Sequence, residues 1–135
     1  MVPHCKISKF LTYSDITSKI ALPIEIVEPM IPIMNGKNFV DLKVVDSRDQ
    51  KWKFRYYTRP NRNRKAPVFT IGWLQFVRAK RLQVGDEFTF SGHQVRATDG
   101  EWEMQYMIQV TRPGFVTFQG QPIIYLDVDY FLPDW

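Results

Sequence analysis

A mainly β fold, a barrel or sandwich of short strands with two small helices, is what this sequence predicts. Apolar and polar residues alternate through several segments, turn-forming residues separate those segments, and helical spacing of apolar residues occurs only twice. With 135 residues, 44% of them hydrophobic and 15% aromatic, the chain supports one domain around a real core and is too apolar for wholesale disorder.

In chain order, Pro23 suits the first turn of a helix that continues through Ile24, Ile26 and Val27. In GKNFVDLKVV, Val40, Leu42 and Val44 share one face while Asp41 and Lys43 take the other. KWKFRYY repeats the pattern, with Trp52, Phe54 and Tyr56 on one side and Lys51, Lys53 and Arg55 on the other. A strand begins near Val68, and a second helix follows Gly72, where Trp73, Phe76 and Val77 have the i, i+3, i+4 spacing of a buried stripe. Gly85-Asp86 turns the chain into the strand EFTFS, and EMQYMIQVT (103–111) directs Met104, Tyr106, Ile108 and Val110 inward. RPG at 112–114 and QGQP at 119–122 supply turn chemistry around FVTF and IIYLDV, which reads as a final hairpin.

Charge is distributed unevenly. The net charge is +4, yet residues 48 to 65 carry eight cations (Arg48, Lys51, Lys53, Arg55, Arg59, Arg62, Arg64, Lys65) against Asp49, a balance of +7 that leaves the rest at −3. From Asp99 onward six acids face one base, Arg112. A basic segment in an otherwise acidic chain points to a face for a polyanion. The connection TRPNRNRKAP is longer than an ordinary hairpin loop, and Pro60 and Pro67 stiffen it. Arg59, Arg62 and Arg64 suit phosphate oxygens or guanine O6 and N7, and Asn61 and Asn63 suit adenine N6 and N7. Base-reading and phosphate-gripping side chains are thus interleaved without the apolar companions a membrane surface requires.

Other classes find little support. The apolar runs are far shorter than the roughly 18 residues of a membrane span, and MVPHCKISKF lacks a secretory apolar core. The single Cys5 permits no internal disulfide and fits a reducing compartment. His4, Cys5 and His93 lack zinc-ligand spacing, and no nucleophile–base pair stands out, so neither metal, cofactor nor catalytic residue is expected. Trp52, Phe54, Trp73 and Phe76 are expected in the core. Asp15 and Asp86 are expected as capping or turn carboxylates, Asp41 and Lys43 as parts of a polar strand face. Asp127 and Asp129, placed on one face of a strand, suit either a divalent ion or an acidic edge that discourages strand pairing.

The ordered set Lys9, Leu11-Thr12, Ser14-Asp15, Leu22-Pro23, Trp52-Lys53-Phe54-Arg55, Thr70-Ile71-Gly72-Trp73, Phe76-Val77, Leu82, Gly85-Asp86 and Phe90 resembles the plant B3 DNA-binding domain over roughly residues 5 to 111. The resemblance implies an open seven-stranded β-barrel (pseudobarrel) with two short α-helices, over residues 1–112. Residues 113–135 would be a C-terminal β-hairpin extension packed on the same domain. It implies two arms in the major groove of double-stranded DNA and a role as a nuclear transcription regulator. The first arm, the loop Thr12 to Lys19, would contribute Thr12, Ser14, Thr17, Ser18 and Lys19; the stretch from Ser14 to Pro23 is about two residues shorter than in many members. The second, Tyr57 to Lys65, would contribute Arg59, Asn61, Arg62, Asn63 and Arg64. Lys51, Lys53, Arg55 and Lys65 would position the protein on phosphates.

Two other readings stay open. One is a protein-interaction module that has kept the fold but weakened or lost DNA binding, with the extension contacting a protein partner, a second copy, or the basic finger. The other is single-stranded nucleic acid stacking on Tyr13, Tyr56 and Tyr57.

Overall fold

The computed structural model describes residues 5–59, 66–114, 117–122 and 124–133. Strand β1 (Cys5–Phe10) leads to a one-turn helix α1 (Tyr13–Thr17) and a two-residue strand β2 (Ile20–Ala21). A 3-10 turn (Ile24–Ile26) runs into α2 (Val27–Met34), then come β3 (Phe39–Val45), β4 (Lys51–Tyr57), β5 (Val68–Phe69) and α3 (Trp73–Lys80). The chain continues with β6 (Glu87–Arg96), β7 (Trp102–Pro113), β8 (Thr117–Phe118), β9 (Gln121–Pro122), β10 (Tyr125–Asp127) and a last 3-10 turn (Val128–Phe131).

Seven strands form one curled sheet in the order β1-β6-β7-β3-β4-β5-β2, with β10 attached to β7. Pairing is antiparallel except between β3 and β7, where Val44 faces Tyr106 and Val45 faces Met107 in parallel. The expected open seven-stranded barrel with short helices is therefore the fold observed. Its seam lies between β1 and β2, the two ends of the strand order.

Alternation works as the sequence predicts. Phe54 and Tyr56 of β4, Leu42 and Val44 of β3, Phe88 and Phe90 of β6, and Tyr106, Ile108 and Val110 of β7 are buried. They surround α3, which contributes Trp73, Phe76 and Val77. The rings meet mostly edge to face, as with Trp73 against Phe88 (centroids 5.1 Å apart) and Phe54 against Phe76 (5.6 Å).

Three expectations need correction. A third helix, α1, occupies the position expected for a loop, because Thr12 and Asp15 form a reciprocal capping box around its first turn. Asp15 is thus the third helical residue of the box and Thr12 the cap. RPG at 112–114 does not turn the chain: β7 runs through Pro113 because Arg112 is drawn onto buried Asp86 by paired bonds of 2.8 and 2.9 Å. Pro113 lies beyond the last residue pair with β6, where a missing N–H is tolerated. The hairpin turn is at Gln119-Gly120, both with positive φ, between the paired strands β8 and β9. Asp127 and Asp129 do not share a strand face. Asp127 ends β10 and caps the 3-10 turn by accepting from the Asp129 N–H, and Asp129 is buried.

Candidate nucleic-acid interface

The first arm and the basic finger grow from strands on either side of β5. Ile20 and Ala21, where the first arm returns to the sheet, pair with Phe69 and Val68. The same two residues of β5 pair on their other side with Tyr56 and Tyr57, where the finger departs. One strand therefore separates the two roots, which at two interstrand spacings is about 10 Å. Both roots are pinned outside the ladders as well: the Leu22 N–H donates to the Pro67 carbonyl (2.8 Å) and the Thr58 N–H to the Asn38 carbonyl (2.8 Å).

On the first arm, α1 turns Asp15 inward and exposes Thr12, Tyr13, Ser14 and Thr17, with Ser18 and Lys19 exposed after it. Some of this polarity is used internally. The Thr12 hydroxyl accepts the Asp15 N–H at 3.3 Å, and the Thr17 hydroxyl donates to the Tyr13 carbonyl at 2.8 Å. The Ser14 hydroxyl lies 3.3 Å from that of Thr12, and Ser18 and Lys19 are exposed beyond the helix. On the finger, Arg59 is exposed. Asn61, Arg62, Asn63, Arg64 and Lys65 lie outside the described residues.

The cations of β4 differ from one another. Arg55 is engaged: its guanidinium donates to both Asp41 oxygens (2.8 and 3.3 Å) and lies 4.3 Å from the centre of the Phe39 ring. The Arg55 hydrogen bond holds the Asp41 carboxyl below its ordinary range, which fixes Asp41 as a structural anion of the strand face. Lys53 is exposed and sits directly across from exposed Lys43. Like charges in register repel, an arrangement an approaching anion relieves. Lys43 was missed in the sequence because only the register of β3 on β4 brings it beside Lys53. Lys51 is at the opposite end of β4 from the finger, roughly 20 Å along the strand.

Among the described residues, the acids of the tail are engaged away from the finger root. Asp127 accepts from the Ser47 hydroxyl (2.6 Å), and Asp129 is bonded to Lys80 (2.8 Å) and lies 3.8 Å from Arg48. All of these partners except Lys80, which is on α3, belong to the β3–β4 turn, at the end of β4 away from the finger. An ammonium thus occupies the position where a divalent ion was one alternative. Among the described residues no three potential metal ligands cluster. Tyr56 is only 1% exposed, its phenol pushed up to about 12 by burial, and is no stacking platform. Tyr13, 72% exposed, remains accessible.

A curled half-barrel that roots two segments one strand apart, with exposed Lys53 and Lys43 beside the finger's strand, suits a polyanion. Comparison with known proteins gives the class: the family model described as B3 DNA binding domain matches residues 7–107, and the chain belongs to that family. The B3 domain-containing transcription factor NGA4 of Arabidopsis thaliana is 32% identical over 85 residues, 61% of this chain and 25% of the relative. The chain thus matches about a quarter of that protein's length. Among solved structures, an Arabidopsis FUS3–DNA complex is similar with a TM-score of 0.57 and 26% identity, over 76% of this chain and 92% of that one. A hypothetical Arabidopsis thaliana protein shares the fold at 15% identity and a TM-score of 0.53, over 82% and 94% of the two chains.

Proposed function

We propose that the protein binds double-stranded DNA sequence-specifically through its two arms in the major groove and acts in the nucleus as a transcription regulator. The observation that carries this reading is the spacing of the roots. Arms that start about 10 Å apart on a rigid sheet match a major groove about 12 Å wide. Family membership and the similarity to a DNA-bound FUS3 structure support DNA as the polyanion.

In this reading Ser14, Thr17, Ser18 and Lys19 contact DNA from the first arm, with Thr12 contributing alongside its capping role. Arg59, Asn61, Arg62, Asn63 and Arg64 contact it from the finger. Lys53, Lys65 and, farther out, Lys51 meet phosphates; Arg55 reaches a phosphate only by sharing its guanidinium with Asp41. If about six phosphates are neutralised, log affinity falls against log salt with a slope near −5. Titrating a duplex pool from low to physiological salt reads that slope, and a flat response overturns the proposal. Selection from a random duplex pool reads specificity. Arg62→Ala or Arg64→Ala is expected to weaken binding by about 1–3 kcal/mol and relax preference at one position, provided that residue reads a base. An unchanged selected sequence would assign the arginine to phosphate.

A further inference from the structure

The seam of the open barrel is closed by side chains, and they converge on one carboxylate. Asp15 is 2% exposed although it lies on a one-turn helix of a projecting arm. Its Oδ2 accepts from the Thr12 N–H at 2.9 Å, where the arm leaves β1. Its Oδ1 accepts from the Ala21 N–H at 3.3 Å, where the arm joins β2. Lys9 of β1 approaches the same carboxylate (Nζ to Oδ2 3.0 Å) and also donates to the Ala21 carbonyl at 2.8 Å. From beneath, the buried Trp73 indole donates to the Asp15 carbonyl oxygen at 2.6 Å. One residue therefore joins the first arm's entrance, its exit, the strand across the seam and the core helix.

No backbone ladder performs this task, because β1 and β2 are the two ends of the sheet and do not pair. A five-residue helix is too short to persist on its own cap. The direction in which Ser14, Thr17, Ser18 and Lys19 project is thus set by side-chain bonds to Asp15. We propose that Asp15, held by Lys9 and the Trp73 indole, is the clasp that fixes the first arm in its recognition geometry. It is a positioning residue that touches no nucleic acid. The inference rests on the DNA-binding function proposed above.

Loss of the clasp raises the entropy that binding must remove, so the loss appears as lower affinity. In Asp15→Asn the charge is gone, and one side of the group becomes an N–H₂ facing Lys9 or a backbone N–H. Amide exchange at Thr12 and Ala21 is expected to quicken at least tenfold while β6 and β7 keep their protection. Duplex affinity, read at a temperature where the variant stays folded, is expected to fall about tenfold or more. The control is Val110→Ala, a buried change in β7 that lowers stability without touching the arm; its affinity is expected to stay within about twofold of the parent.

Asp15→Asn binding as tightly as the control, or unchanged exchange at Thr12 and Ala21, overturns the proposal. Should Asp15→Asn fail to fold, Lys9→Met, at a partly exposed side chain, is measured by the same two readouts with the same outcomes deciding. If the parent itself ignores duplex DNA, the proposed function fails, and faster exchange confined to the arm still decides whether the clasp exists.

Discussion

Gly72→Ala is expected to lower stability by roughly 3–5 kcal/mol, a large share of the 5–15 kcal/mol of an ordinary domain. Gly72 precedes α3 with φ at +91°, and a Cβ there would lie 1.9 Å from the Lys53 carbonyl oxygen and 3.1 Å from its carbon. Both are backbone atoms of β4, a strand paired on both sides, so no side chain can rotate away. Either α3 retreats, pulling Trp73 off the Asp15 carbonyl, or β4 bends. Gly100→Ala separates the backbone effect from the clash. Gly100 has a similar φ of +86° but nothing within 4 Å of its would-be Cβ. Only the left-handed backbone is then strained, at about 1 kcal/mol. Denaturant unfolding of both variants reads the difference, and equal losses would show that the close approach of helix and strand is unimportant.

The same contact shows where sequence reading succeeds. Gly72-Trp73 marks a helix start from local chemistry, and period-two alternation gives β3, β4, the first half of β6 and most of β7, because each buries one face against a single core. Two-residue strands carry no period. β2 is invisible to such reading and β5 shows only as a strand start near Val68, yet β5 sets the spacing of the arms. Helix α1 is also too short for periodicity, although Thr12-x-x-Asp15 is a legible capping box. Pro113-Gly114 signals a turn, and the signal is overridden by the Arg112–Asp86 pair across 26 residues. The cationic finger stands out by composition alone. That Arg55 is engaged and Lys53 is not follows from the register of β3 on β4, which composition does not contain.

Long-range pairing also decides what the acidic tail does. Lys80, 4% exposed, donates to Asp129 of the tail at 2.8 and 3.0 Å and to Gln50 at 2.8 Å, and lies 2.9 Å from Asp46 of the β3–β4 turn. Val128 beside Asp129 is buried, and β10 is paired with β7. We propose on these grounds that residues 113–135 belong to the folding unit and do not act as a detachable inhibitor of the finger. Lys80→Met keeps the aliphatic stem and removes the charge, leaving two buried carboxylates without their common cation. The expected loss at pH 7 is about 3–5 kcal/mol.

The pH dependence separates lost charge from lost packing. In the parent, burial alone would raise the Asp46 carboxyl, but bonds from Lys80, the Trp52 indole and the Gln50 and Arg48 N–H groups outweigh it and hold the carboxyl below its ordinary range. A depressed carboxyl contributes stability above its unfolded value of about 3.9, and that contribution is lost as pH falls through the folded value. In Lys80→Met the sign reverses. With the Lys80 bond gone, burial outweighs the remaining bonds from the Trp52 indole and the Gln50 and Arg48 N–H groups and raises the Asp46 carboxyl, and a raised carboxyl costs stability as pH climbs above the unfolded value. The gap between parent and variant is therefore expected to be widest near pH 7 and to narrow steadily toward pH 4. Denaturation midpoints across that range read it; a constant gap would mean that Lys80 contributes by packing alone, and the tail would then be held by β10 and Val128 without its buried charges.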